Sequence, residues 1–274
     1  MTTPESRHGP VAQLLIAWSP LSLILLAYLA AQWVSGPLGD GRSGGTNRLG
    51  LALNVAGPAE ADQALFGVVP SVWMQERLLD GTTHWYDAVA SLVYVTHFVS
   101  VPLVTALVWF RLRGRFAAWL AAVIAFTVVG IGGYILYPAA PPWMASELGV
   151  VGTVTRLSHV GWDYLQLGPV AQLTTSAQGA SNPVAAMPSL HAGAPMLVTL
   201  FLWPTLSRRW RGALLAYVLT MALTLVYTGE HYVVDVVAGW ATAAVAVALA
   251  LAVASAVRRR RARFSRRATT ASRP

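Results

Sequence analysis

Two segments of the chain carry side chains able to exchange protons or attack an electrophile. The first, Asn182-Pro183-Val184-Ala185-Ala186-Met187-Pro188-Ser189-Leu190-His191-Ala192-Gly193, brings His191. The second, Thr228-Gly229-Glu230-His231-Tyr232-Val233-Val234-Asp235-Val236-Val237-Ala238-Gly239, brings His231 and Asp235. His231 and Asp235 stand four residues apart, which on a helix sets both on one face, where the carboxylate accepts a hydrogen bond from the imidazole. That bond fixes the tautomer and leaves the other ring nitrogen as a base or nucleophile. His191 can then protonate a departing oxygen. Two histidines and one carboxylate suit phosphoryl transfer with no metal and no organic cofactor. The sequence has no cysteine, which excludes a thiol nucleophile, a disulfide and a thiolate-held metal.

The elements that must position these groups are membrane spans. Hydrophobic residues make up 55% of the 274 positions and charged ones 11%, less than half the share of a soluble protein. Stretches long enough to cross a bilayer, about 20 apolar residues each, read at roughly 12–34, 87–110, 116–137, 188–206, 212–228 and 233–257. The expected fold is therefore all-α, an integral membrane bundle of six transmembrane helices in one domain over 1–274, with 258–274 as a basic tail. The first run is longer than a signal-peptide core and reads as an anchor.

The net charge of +8 comes from arginine, since the sequence contains no lysine. Its placement points to membrane topology and not to nucleic acid. Arg111, Arg113 and Arg115 separate the second and third spans, Arg208, Arg209 and Arg211 the fourth and fifth, and the run from Arg258 to Arg267 follows the sixth. Six spans put all three clusters on one side, which the positive-inside bias makes cytoplasmic. Both termini are then cytoplasmic, and the connections 35–86, 138–187 and 229–232 face outward. Both histidine segments fall where an outward connection enters a span, and the topology follows from the arginines alone. Ionisable groups inside a span cost about 2.5–3.5 kcal/mol on insertion scales and mark function more often than surface ones do.

Pro188 suits the first position of the fourth span, where its missing N–H is no loss. The amides of Ser189, Leu190 and His191 then lie at the positive end of a helix dipole, which attracts phosphate. The outer connection 35–86 contains an amphipathic piece from Leu65 to Leu79, with Trp73 and Trp85 suited to the interface. The 138–187 connection, rich in Pro, Gly, Ser and Thr, reads as a lid or a disordered loop.

Pro188-Ser189-Leu190-His191, and His231 with Asp235, resemble the second and third signature motifs of the type-2 phosphatidic acid phosphatase superfamily. Together with Tyr137-Pro138-Ala139-Ala140-Pro141-Pro142-Trp143, they are most similar to its inositol phosphorylceramide synthase-like (inositolphosphotransferase) branch and, more distantly, to sphingomyelin synthase. The matching blocks span about 137–239. The resemblance implies that His231 attacks phosphorus to form a phosphohistidine. It further implies that Asp235 orients His231, that His191 protonates the departing alcohol, that Ser189 contacts phosphate oxygens, and that water or an acceptor hydroxyl takes the phosphoryl group.

The sequence also departs from the phosphatase pattern. The first-motif lysine is missing, and Thr224 and Leu225 stand where a serine-arginine pair precedes the third-motif histidine. Arg156 is a candidate to neutralise phosphate, or an ordinary loop charge. Tyr137, Pro142 and Trp143 either wall the headgroup site or simply end the third span and anchor it. His97, about 15 Å into its span, braces the site with Tyr94 or fills the core. Glu230, His84 and Asp87 are supporting candidates.

The expected protein is a plasma-membrane enzyme, of bacterial origin by its alanine and arginine usage, with its site on the extracytoplasmic face. It acts on a lipid phosphate substrate with water or a hydroxyl as acceptor, favoured as a headgroup phosphotransferase over a lipid phosphate or prenyl diphosphate phosphatase. A transporter or lipid-binding scaffold is the alternative from another class.

Overall fold

The computed structural model describes residue 9, residues 24–38 and residues 45–271, with the side chains of 258 and 260–271 outside that description. The order is α1 (Ile24–Leu38), α2 (Ala56–Phe66), α3 (Pro70–Leu78), α4 (Trp85–Arg111), α5 (Phe116–Leu136), α6 (Pro142–Glu147), α7 (Gly161–Tyr164), α8 (Gly168–Gly179), α9 (Leu190–Leu202), α10 (Arg208–Tyr227) and α11 (Val233–Ala271). Isolated bridges such as Asn54 with Ala139 and Ala139 with Ala185 stitch the connections 35–86 and 138–187, and among the described residues no strand forms.

Among the described residues four helices are long and apolar enough to cross a membrane: α4, Arg113–Leu136, α10 and the first 25 residues of α11. They match the predicted spans 87–110, 116–137, 212–228 and 233–257. The predicted fourth span, 188–206, is instead the 13-residue α9 followed by a 3-10 turn, Trp203–Thr205. Thirteen residues rise about 20 Å, less than a bilayer core. Of the predicted first span, 12–23 lies outside the described residues, and the remainder falls in the shorter apolar helix α1. The four long helices expose apolar side chains such as Leu103, Phe110, Val128 and Leu223 on their outer faces, as expected of helices that are hydrophobic all round.

The bundle closes on α9 and α11. Val108, Trp119, Leu197, Phe201, Ala243 and Ala246 fill its centre, and the indole of Trp119 donates to the Thr105 hydroxyl at 2.9 Å. Close approach depends on glycine. A β-carbon at Gly239 of α11 would sit 2.1 Å from the Ser189 carbonyl oxygen, and one at Gly193 of α9 would meet Phe126 at 2.7 Å and the Gly239 carbonyl at 2.8 Å. Such small-residue contacts let helices pack where no hydrophobic drive separates them from lipid. At the far end of α9 from His191, Arg115 donates to the Phe201 carbonyl at 2.8 Å and Arg211 to the Trp203 carbonyl at 3.1 Å. Two arginine clusters thus share the end of the bundle opposite the histidines.

The connections expected to face outward are folded over their described residues. The amphipathic piece read at Leu65 to Leu79 is broken in two, because Gly67 takes a left-handed conformation that stops α2 and Pro70 begins α3. Trp73 and Trp85 are exposed. The 138–187 segment contains α6, α7 and α8 and is tied down at Gln75 of α3. The Gln75 side chain donates to the carbonyls of Thr155 and Tyr227, each at 2.8 Å, and accepts from the Thr155 amide at 2.8 Å.

Candidate active site

α9 begins at Leu190, two residues later than Pro188, with Ser189 as its N-cap. The Ser189 hydroxyl accepts from the Ala192 amide at 3.2 Å, and the Ser189 amide donates to the Asp235 carbonyl at 2.9 Å. Ser189 is therefore a fully buried capping residue that joins α9 to α11, and its amide is committed within the protein. Pro188 precedes the cap and packs against α5, where a β-carbon at Gly133 would lie 2.3 Å from its ring.

His231 lies just before α11 and Asp235 in its first turn, so the pair arises at a helix entrance and not along one helical face. Gly229, in a left-handed conformation at φ 72°, makes the turn that delivers them. A β-carbon there would meet Val154 at 2.7 Å. Asp235 Oδ2 accepts the Tyr232 amide at 2.9 Å and stands 3.6 Å from His231 Nδ1, a few tenths of an ångström beyond a hydrogen bond. On the other side of the ring, His231 Nε2 lies 3.4 Å from Nδ1 of His191. The three groups of the two motifs form one line: carboxylate, imidazole, imidazole.

His191 is held by rings from α4. Tyr94 stacks on it at 5.2 Å between centroids, and His97 tilts against it at 4.3 Å. Three residues apart, Tyr94 and His97 share one helix face. Their role as supports is thus through ring packing on His191. His97 Nδ1 is buried with no hydrogen-bond partner.

Arg156 is built into the site. Its Nε and Nη2 bind the two oxygens of Glu230 at 2.8 and 3.0 Å, and its guanidinium lies over the Trp143 ring at 5.1 Å. Glu230 also accepts from the Ser158 hydroxyl, which in turn accepts from Gln178 at 2.6 Å. Burial works against the arginine's charge, but the Glu230 carboxylate outweighs it and raises the pKa. Such fork-to-fork pairs fix direction as well as charge. Through Trp143, the Tyr137–Trp143 segment therefore supports the arginine. Pro142 is buried as the first residue of α6. Tyr137 lines a cleft of about 310 Å³ with Val129, Gly133, Met187, Pro188, Ala238 and Thr242.

His84 and Asp87 form a capping box at the start of α4, where the His84 amide donates to the Asp87 carboxylate at 2.8 Å. The other Asp87 oxygen accepts from the Tyr227 hydroxyl. They shape the helix end and do not touch the histidine pair. Among the described residues no group of three or more His, Cys, Asp or Glu is placed to hold a metal ion.

Sequence reasoning missed Asp62, Gln75, Ser158 and Gln178. Asp62, on α2, accepts the amides of Val233 and Val234 at 2.9 and 3.0 Å. Burial raises its pKa against the pull of those amides. Nothing in the local sequence marks it.

The sequence has relatives among known proteins. Residues 59–249 match the model of the PAP2 superfamily. The chain is 29% identical over 201 residues to the phosphoinositol dihydroceramide synthase of Bacteroides thetaiotaomicron, covering 70% of this chain and 65% of that protein. It is 28% identical over 174 residues to the inositol phosphorylceramide synthase catalytic subunit aur1 of Schizosaccharomyces pombe, covering 61% of this chain and 41% of that protein. The match therefore spans less than two thirds of either relative. No solved structure gives a significant match.

Proposed function

The chain belongs to the PAP2 superfamily, and on that premise we propose that it is a lipid headgroup phosphotransferase working through a phosphohistidine on His231. The observation that carries the proposal is the alignment of Asp235, His231 and His191, with His231 Nε2 directed at His191.

In the first step His231 Nε2 attacks phosphorus of a lipid phosphodiester and the bond from phosphorus to the lipid alcohol breaks. His191, protonated, gives its proton to the departing oxygen, while Asp235 stabilises the charge on the phosphorylated ring. In the second step an acceptor hydroxyl gives its proton to His191 and attacks phosphorus. The N–P bond breaks and His231 is restored. Attack requires phosphorus about 3–3.5 Å from the nucleophile with the leaving oxygen beyond it. The acid must in turn lie within about 3 Å of that oxygen. Two nitrogens 3.4 Å apart leave no such room, so the mechanism requires the two imidazoles to separate as substrate enters.

The charge around the site favours a diester over a monoester. Arg156 already has Glu230 as counter-ion, Asp235 and Asp62 lie close by, and no lysine exists to add a cation. A phosphodiester brings about one negative charge and a monoester nearly two, so the second would meet more repulsion than this site offsets. The relatives' names point to an inositol phosphate headgroup and a ceramide-type acceptor. We place the site on the extracytoplasmic face with both termini cytoplasmic, counting the shorter α1 and α9 with the four long helices as six passes, because two arginine clusters gather at the opposite end of the bundle.

The test is mass spectrometry of purified protein with a panel of phospholipids and prenyl phosphates, with and without polyols and ceramide-type acceptors, and His231→Ala as control. A new adduct that depends on His231 supports the transferase. Free phosphate or a dephosphorylated lipid makes the protein a phosphatase, and turnover that survives His231→Ala refutes the histidine mechanism.

A further inference from the structure

We infer that Asp62 is a positioning residue for the proposed transfer reaction, holding the first turn of α11 so that His231 and Asp235 keep their alignment; the inference rests on the phosphohistidine reading above.

A helix leaves its first amides without intrahelical partners. In α11 the amides at issue belong to Tyr232, Val233 and Val234, which lie between the two residues that must stay in register. The Tyr232 amide goes to Asp235 at 2.9 Å. Those of Val233 and Val234 go to the two oxygens of Asp62 at 2.9 and 3.0 Å. Asp62 stands 171 positions earlier than Val233, on a helix outside the bundle, and is fully buried. Its carboxylate clamps both amides at once and supplies negative charge at the positive end of the helix dipole.

The arrangement has a consequence for catalysis. Asp235 makes its contact to the Tyr232 amide with the same oxygen that approaches His231. Any slip of the Val233–Val234 turn therefore moves that oxygen relative to Nδ1. The gap is 3.6 Å, already just beyond a hydrogen bond, so a further shift would remove the group that orients the nucleophile. Asp62 reaches neither imidazole through any of its hydrogen bonds, and so it acts through the backbone. Its loss should slow chemistry while leaving substrate affinity in place.

Asparagine is the informative replacement. Its single acceptor oxygen can hold one of the two amides, while its NH₂ group faces the other. Alanine holds neither. A misplacement of about 1 Å at reacting groups costs about 100-fold in rate. We expect Asp62→Ala to lower kcat by about that factor and Asp62→Asn by about 10-fold, both with KM within about threefold of wild type. The assay is steady-state transfer from a fluorescent glycerophospholipid to a ceramide-type acceptor, in detergent-purified full-length protein. Thermal unfolding and monodispersity are followed beside it, with His231→Ala as control. If Asp62→Ala does not yield folded protein, Asp62→Asn carries the test. Wild-type kcat in a folded Asp62→Asn, or a loss confined to KM, overturns the positioning role while His231→Ala remains inactive. Activity in His231→Ala would instead remove the phosphohistidine reading.

Discussion

The contact between Ser189 and Gly239 allows a quantitative test of how rigidly the bundle holds its chemistry. Replacing Gly239 by alanine puts a β-carbon 2.1 Å from the Ser189 carbonyl oxygen and 3.3 Å from the Gly193 amide, whereas ordinary contact begins near 3.4 Å. These neighbours are backbone atoms, so no flexible side chain can give way, and α9 must move from α11 by more than 1 Å. The Ser189 amide bonds to the Asp235 carbonyl at 2.9 Å across this contact, and the same displacement stretches it beyond hydrogen-bond range. His191 lies two residues after Ser189, and Asp235 four before Gly239. A shift of about 1 Å between these segments should lower turnover about 100-fold, some 2.7 kcal/mol of barrier. Overpacking of this kind costs about 1–3 kcal/mol of stability. Gly132→Ala is the control, since its β-carbon would meet nothing within 4 Å, and alanine is the better helix former. Lipid transfer under single-turnover conditions and thermal unfolding in the same detergent read the two effects. Wild-type turnover in a folded Gly239→Ala protein would refute the claim that this crossing sets the distance between the histidines.

Removing the acid should matter according to the leaving group. His191→Ala is expected to slow single-turnover release of a natural lipid alcohol by about 10²–10⁴-fold and release of an aryl alcohol far less, since an aryl oxide leaves without a proton; equal losses in this first step, measured without acceptor so that the second step does not enter, would contradict the acid role. Arg156→Ala should reduce kcat/KM by about 10²-fold, the scale for loss of one charge-stabilising donor, whereas Glu230→Gln, which frees the arginine from its counter-ion, should shift preference several-fold toward phosphomonoesters. A competition assay between a lipid diester and the matching phosphatidate measures that shift, and an unchanged ratio would sink the charge argument. Transfer should also be unaltered by a chelator, and loss of turnover restored by a divalent ion would contradict a mechanism run by side chains alone.

The membrane helices and the histidine segments were legible because each is encoded locally. Apolar runs mark four of the predicted spans as helices long enough to cross a bilayer, and the prolines and glycines around 188 and 229 mark the turns from which α9 and α11 begin. Local pattern also misleads where the end of an element matters. Pro188 looked like the first helical residue, but the Ser189 side chain supplies the cap and moves the start to Leu190. The spacing of His231 and Asp235 suggested partners on one helical face, whereas His231 precedes the helix and Asp235 also satisfies the Tyr232 amide. What remained hidden is the set of long-range polar contacts: Asp62 to Val233, Gln75 to Thr155 and Tyr227, and Arg156 to Glu230, separated by 171, 80, 152 and 74 positions. Each involves a residue type that is usually on the surface, inside a segment that composition alone reads as an outer loop. Asp62 and Gln75 are buried here because they satisfy backbone groups at the start of α11 and the end of α10 that the helices leave unpaired, and Arg156 because it pairs with Glu230. The 138–187 connection is itself tied to the turn before α11, where the Trp143 and Leu157 amides donate to the Gly229 and Thr228 carbonyls at 3.2 and 3.0 Å, so it is held by contacts that no local pattern encodes. Its Arg156 meets Glu230, the residue beside His231, so the connection reaches the candidate site through a contact 74 positions long.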